Sequence, residues 1–231
     1  MVGIIGAMKI EIETIEATMT AKREKTVAGT RFVEGLIGGK PAVAAVCGIG
    51  KVAAALCTQA MIMEYAPDCI INSGVAGSLS PDINTCDVVV ADTLVQHDMD
   101  TTPIGDPAGY IHSLKTVSLA ADEKITRLLF ECASAYAKAK VETGRIASGD
   151  QFIASAEQKN RIVSLFGAKA CEMEGAAIAQ ACLTAGVPFG VLRAISDSAD
   201  GSSPVAYTEF LPEAADIASK TMIDFVSKYE K

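Results

Sequence analysis

Short runs of Val, Ile, Ala and Gly alternate along the chain with longer segments in which apolar residues recur every three or four positions. Val2–Gly6 reads as a strand and Met8–Thr20 as the helix after it. Arg31–Ile37 and Pro41–Cys47 read as a hairpin closed across Gly38-Gly39, with a helix over Lys51–Tyr65. Strands at Cys69–Ser73 and Cys86–Asp92, an amphipathic helix over Leu119–Lys138 and a strand at Arg145–Ser148 continue the alternation. A helix over Ser155–Phe166 is opened by the capping box Ser155-Ala-Glu-Gln158. A strand at Ala168–Glu172, a helix at Glu174–Ala185, a strand at Phe189–Ile195 and a helix at Glu213–Lys228 complete the pattern.

The strand runs are continuously apolar, as in strands covered on both faces. The pattern predicts an α/β fold: a three-layer α/β/α arrangement around a central mixed sheet, with residues 1–231 as a single domain. There is no Pro/Ser-rich linker and no internal repeat. The one long irregular stretch, Gln96–Ser118, carries Pro103, Gly105, Pro107, Gly109, Tyr110 and His112, and loops of that length inside a domain usually serve function.

Charge narrows the function classes. With 20 Lys+Arg against 28 Asp+Glu, the net charge is −8, which disfavours a basic face for nucleic acid. Half the residues are apolar and 21% are charged, enough to bury roughly 70–75% of the unfolded surface. The longest stretch without Asp, Glu, Lys or Arg, Gly175–Leu192, is interrupted by Gln180, Gly186 and Pro188, so no membrane span is expected. The N-terminus carries no basic segment and meets Glu11, Glu13 and Glu16 after its first apolar run, so a cytoplasmic location is expected over secretion. Seven cysteines without a C-x-x-C pair read as reduced core residues, and His97 and His112 have no partner at metal-ligand spacing, so no metal site is expected.

In sheets of this kind ligands bind beyond the carboxyl ends of the strands. Gly48-x-Gly50-x-x-Ala53 fits half of a dinucleotide fingerprint, but no carboxylate follows the next strand until Asp82. A tight strand-to-helix turn and a ligand contact both remain open there, and no NAD or other cofactor is expected. Glu172-Met173-Glu174 interrupts an otherwise uncharged stretch, and buried carboxylates need partners or a ligand. Glu174 starts a helix, whose positive end favours an ionised carboxylate able to accept from two hydroxyls. Asp197 ends the most apolar strand, between desolvation and either ligand contact or capping of the turn after it. Glu11 stands either beyond the first strand or on the solvated face of the first helix with Glu13 and Glu16.

Six segments in register resemble the 5′-methylthioadenosine/S-adenosylhomocysteine nucleosidases of the nucleoside phosphorylase superfamily, over essentially the whole chain. They are Gly3-Ile-Ile-Gly-Ala-Met8 with Glu11, Cys47–Leu56, Ile70–Gly77, Ser148–Ile153, Glu172-Met-Glu174 and Arg193-Ala-Ile-Ser-Asp197. The resemblance implies hydrolysis of the N-glycosidic bond of an adenine nucleoside without metal or cofactor. It implies that Asp197 protonates adenine N7 and that Glu11 activates the attacking water, with Arg193 ordering water and acids. Glu174 with Met173 would hold the ribose hydroxyls, Glu172 would stand among the substrate-binding residues, Phe152 would stack on the purine, and Ile153 backbone groups would read its Watson–Crick edge. Gly77 and Val75 would line the site, and the position of Val75 is often Ser in the family. Met8, Ile49, Val75 and Ile104 would form an apolar slot for the 5′ group, preferring methylthio to hydroxyl. The resemblance also implies a homodimer, with residues near Ile104 lent to the neighbour's 5′ pocket. The segment Asp98–Ile104 with Pro107–His112 departs from the family pattern and leaves the preferred 5′ substituent open. Two alternatives stand beside this reading: a phosphate-dependent phosphorylase, which needs arginines near the first strand where only Lys9 is found, and a nucleoside-binding module without turnover.

Overall fold

Val2–Gly6 forms β1, buried at every position because it lies mid-sheet, parallel to a strand on either side. The computed structural model describes residues 1–138 and 140–231. After β1 come α1 (Lys9–Thr18), β2 (Thr20–Val27), β3 (Thr30–Ile37), β4 (Lys40–Val46), α2 (Lys51–Tyr65) and β5 (Cys69–Ser78). Next are β6 (Val88–Gln96), a 3-10 turn at Thr102–Ile104, β7 (Leu119–Ala120), α3 (Glu123–Ala133) and β8 (Val141–Ser148). The chain ends with α4 (Ala156–Phe166), β9 (Ala170–Glu172), α5 (Gly175–Ala185), β10 (Phe189–Asp197) and α6 (Ser203–Lys228).

One mixed sheet holds these strands. β1 pairs in parallel with β4 and β5, placing Ile4 opposite both Ala44 and Ile71. β5 is twice as long as β1, continues in parallel with β10, and pairs its last residues, Gly77 and Ser78, with β9. Because β10 also pairs with β6, β6 with β8, and β8 with β9, this half of the expected central mixed sheet closes on itself. The closure brings the carboxyl ends of β5 and β10 to one rim.

Helices cover both faces. Ile4, Ile71 and Leu192 pack with Ile12 of α1, Leu129 of α3 and Met222 and Phe225 of α6. Their sequence neighbours Ile5, Ile70 and Val191 point to the other face, against Cys57 and Met61 of α2 and Ile178 of α5. Each such fully buried side chain contributes about 1.5–3 kcal/mol. A smaller cluster of Val95, Ile153, Ile162 and Phe166 lies under α4.

Several predicted boundaries hold for the predicted reason. Gly38 and Gly39 form the two-residue hairpin turn with φ of 57° and 81°, a geometry that favours glycine. Ser155 Oγ accepts from the Gln158 amide at 3.3 Å and opens α4. Other boundaries move. The predicted first helix stops at Thr18, and Thr20–Val27 is an unpredicted strand whose residues are exposed apart from half-buried Val27. An edge strand of Lys, Arg and Glu has no apolar alternation to betray it, and those charges protect the edge from further pairing. The predicted helix over Leu119–Lys138 is shorter: Asp122 accepts from the amides of Lys124 and Ile125, both at 3.0 Å, and sets the start of α3. The last helix begins ten residues before Glu213 and carries Pro212 inside it. A proline there removes one helical hydrogen bond, yet Tyr207, Phe210 and Leu211 pack onto the core from that first half and hold it helical.

Candidate active site

A cavity of about 600 Å³, its open mouth included, lies at the carboxyl ends of β1, β5, β9 and β10, within the size range of small-molecule sites. Ala7, Met8 and Glu11 come from the start of α1, Val75 to Gly77 from β5, Cys171 to Glu174 from β9 and the turn after it, and Ser196 and Asp197 from β10. Gln151, Phe152 and Ile153 close one side, with Tyr207 of α6 and Ile49 beside the mouth.

Glu11 is buried in the first turn of α1, which settles its position at the strand end and not on the solvated face. One carboxyl oxygen accepts from the amides of Ala7 at 2.8 Å and Met8 at 2.9 Å, the other from Val75 at 3.1 Å. Burial pushes its carboxyl above the usual range, against the pull of Arg193 and of those three amides. Close approach to β5 is possible because residue 74 is glycine: a Cβ there would stand 2.5 Å from Glu11 Oε1.

Glu172 and Glu174 have separate tasks. Glu172 accepts from the amides of Glu174 at 3.0 Å and Gly175 at 2.7 Å, from the Ser148 hydroxyl and from Arg193 Nη2. Burial opposes its ionisation, but Arg193 and the Ser148 hydroxyl outweigh burial and hold the carboxyl below its usual range. Arg193 is itself fully buried, and its guanidinium also donates to Asn72 Oδ1 and to the Leu192 carbonyl. Glu172 is therefore engaged within the protein, fixing Arg193 and the start of α5. Glu174 accepts only from the Gly50 amide, at 2.8 Å, among the hydrogen bonds of the described residues. Burial first, and the negative charge of Glu172 second, raise its carboxyl to about 7. The helix end alone was expected to keep it ionised; desolvation and a neighbouring carboxylate prove stronger, so it takes up a proton near neutrality.

Asp197 is buried at the end of β10, where its oxygens accept from the Ala199 amide at 2.8 Å and the Ser196 hydroxyl at 3.0 Å. The Ser196 hydroxyl also lies 3.3 Å from the Ala76 carbonyl, so it can donate to either oxygen. Phe152 is 47% exposed at the mouth and meets Tyr207 edge-on at 5.6 Å between ring centroids, whereas Ile153 is buried behind it.

Of the residues singled out by sequence, Met8, Glu11, Ile49, Val75, Gly77, Phe152, Ile153, Glu172, Met173, Glu174 and Asp197 line this cavity, and Arg193 stands directly behind Glu172. Ile104 does not: it is 78% exposed in the 3-10 turn, away from this chain's own cavity. The glycine loop Gly48–Gly50 hands an amide to Glu174, so its glycines serve a strand-to-helix turn within the site. Sequence reasoning missed Tyr207, Gln151 and Ser196. Ser196 sits inside the quoted Arg193–Asp197 motif, and that adjacency was its only signal. Ser148 and Asn72, also inside quoted motifs, anchor Glu172 and Arg193.

Comparison with known proteins shows which family the chain resembles in sequence and fold. A family model described as the phosphorylase superfamily matches residues 1–229. The 5′-methylthioadenosine/S-adenosylhomocysteine nucleosidase of Actinobacillus succinogenes is 37% identical over 230 residues, covering 99% of each chain. The solved structure of the enzyme of that name from Neisseria meningitidis, in complex with methylthio-immucillin-A, superposes with a TM-score of 0.95 at 38% identity, covering 99% of each chain. A futalosine hydrolase mutant of Helicobacter pylori is similar to nearly the same degree, with a TM-score of 0.93 and 37% identity over 99% of each chain.

Proposed function

The chain belongs to the phosphorylase superfamily, among its 5′-methylthioadenosine/S-adenosylhomocysteine nucleosidases, and from that membership we propose how its acidic cavity works. The protein is a hydrolase that cleaves the N-glycosidic bond of methylthioadenosine and adenosylhomocysteine to release adenine. The observation that carries hydrolysis over phosphorolysis is the composition of the cavity wall: among its described lining residues stand four carboxylates and no Lys or Arg. Arg193, the nearest cation, is already engaged by Glu172, Asn72 and a backbone carbonyl. An attacking phosphate dianion would meet negative charge without a free cation, whereas water meets a base.

Each residue then has a task set by the charge that develops. Departure of adenine leaves positive charge on the sugar and pushes an electron pair toward N9 of the base. Asp197 gives its proton to N7, so the pair is accepted as the C1′–N9 bond breaks. Glu11, whose carboxyl burial makes a stronger base than an ordinary glutamate, takes a proton from the water as its oxygen bonds C1′. Glu174 accepts from the ribose hydroxyls beside Met173, and Glu172 holds Arg193 and α5 in place. Phe152 covers the purine face and Ile153 its edge. No metal or organic cofactor enters this scheme.

We take residues 1–231 as one catalytic domain, since a single sheet runs through it. Val52, Leu56 and Met63 are 66–79% exposed along one side of α2, continuous with Ile49 at the cavity mouth. A second copy of the chain would cover that stripe and bring its own Ile104 region to the neighbour's 5′ pocket. Light scattering at micromolar concentration should give a dimer, and an active monomer would contradict it. We place the protein in the cytoplasm: six of its seven free cysteines are buried as core residues, and no helix among the described residues is long and apolar enough to cross a membrane.

Two substitutions test the division of labour. Asp197→Asn should retain adenine-analogue binding and lose about 10²–10⁴-fold in turnover. A substrate whose leaving group departs without protonation should rescue Asp197→Asn and leave Glu11→Gln impaired. Equal response of the two variants would overturn the assignment.

A further inference from the structure

The slot assigned to the 5′ group is not wholly apolar. Tyr207 lines the cavity with Met8 and Ile49, and its hydroxyl donates to the Met8 sulfur at 3.1 Å. A thioether is a weak acceptor, so a full-strength donor here has a poor partner. The ring is fixed by its edge-on contact with Phe152 and by packing on the core, which limits where the hydroxyl can point. Burial and the carboxylates of Glu11, Asp197 and Glu174 raise the phenol above its ordinary value, so at neutral pH it stays a donor.

We infer that Tyr207 is a specificity-determining residue whose hydroxyl donates to an oxygen at the 5′ position of the nucleoside, extending the substrates to 5′-oxygen adenine nucleosides. This inference rests on the nucleosidase reading given above. With Phe152 over the base and Glu174 at the ribose hydroxyls, the remaining end of the sugar faces Met8, Ile49 and Tyr207. A 5′-methylthio group offers Tyr207 another thioether and gains nothing over Met8. A 5′ oxygen is a stronger acceptor, and one neutral hydrogen bond of this kind corresponds to about 3–10-fold in relative efficiency. The apolar walls still favour methylthio, so Tyr207 narrows that preference without inverting it.

The test compares kcat/KM for methylthioadenosine, adenosine and 5′-deoxyadenosine in the wild type and in Tyr207→Phe. The wild type should favour adenosine over 5′-deoxyadenosine, and the variant should lower the adenosine-to-methylthioadenosine ratio about 3–10-fold. A purely structural role would lower both constants together, leaving the ratio unchanged, and that result overturns the inference. So does a wild type that cleaves methylthioadenosine but not adenosine. Should Tyr207→Phe fail to fold, the wild-type comparison of adenosine with 5′-deoxyadenosine decides alone, equal efficiencies counting against the hydroxyl. If the wild type releases adenine from none of the three, the nucleosidase reading itself has failed, a distinct outcome.

Discussion

Glu172→Gln removes one charge from the buried centre of the site and almost no volume. Arg193 would then be left fully buried with only Asn72 and a backbone carbonyl as strong acceptors besides the new amide. Breaking a buried ion pair from one side costs about 3–5 kcal/mol, and the amide keeps some hydrogen bonding, which places this change near the lower value. For a chain of this length each kcal/mol shifts the melting temperature by about 2–4 °C, so a drop of roughly 6–12 °C follows. The substitution also alters the remaining acids. Glu172 is the second cause, after burial, of the raised Glu174 carboxyl, and with its charge gone the pull of Arg193 is opposed only by burial and the more distant charge of Glu11. In the wild type, kcat/KM should fall as pH drops through about 7, because a protonated Glu174 no longer accepts from both ribose hydroxyls. In Glu172→Gln that limb should move to lower pH. Circular dichroism melts and the pH dependence of adenine release measure the two effects on one preparation. A melting point that does not fall, or an acidic limb that stays in place or moves up, refutes the reasoning.

Gly74→Ala should drive Glu11 from its cradle, because the new Cβ would lie 2.5 Å from Oε1 and the side chain is pinned by three amides. Losing one hydrogen bond to a charged group is worth about 1.5–3 kcal/mol, so kcat should fall about 10–100-fold, read by steady-state kinetics. Glu174→Gln should stabilise the protein at alkaline pH. The folded carboxyl titrates near 7 against 4.5 for the ordinary group, so the folded state holds more protons between those values and stability declines as pH rises through them. The variant lacks this loss, and its melting point relative to wild type should climb from pH 4 to pH 8 by the equivalent of about 3 kcal/mol at most. A constant difference across that range would contradict the raised carboxyl.

Much of the site could be read along the chain because its acids stand where charge is otherwise scarce. Glu172-Met-Glu174 interrupts an uncharged stretch and Asp197 ends an apolar strand, and both lie at the cavity. The different tasks of Glu172 and Glu174 were not legible. They depend on Ser148 and Arg193, which reach Glu172 from β8 and β10 and leave Glu174 facing the cavity. The apolar pattern placed the hairpin across Gly38-Gly39 and the α4 cap, where local geometry decides. It failed at β2, whose partner β3 supplies the pairing that its own charged sequence does not suggest. It failed again at the start of α6, and with that half-helix went Tyr207, since Pro212 reads as a helix boundary until Phe210 and Leu211 are seen to pack on the core.

The claim that this cavity uses water in place of phosphate is tested most directly by following methylthioadenosine cleavage in buffer without phosphate and again with saturating phosphate, identifying the sugar released. The carboxylate-lined wall predicts equal rates of adenine release in both and free 5-methylthioribose as the only sugar product. A rate that rises steeply with phosphate, with 5-methylthioribose 1-phosphate accumulating, would contradict the account.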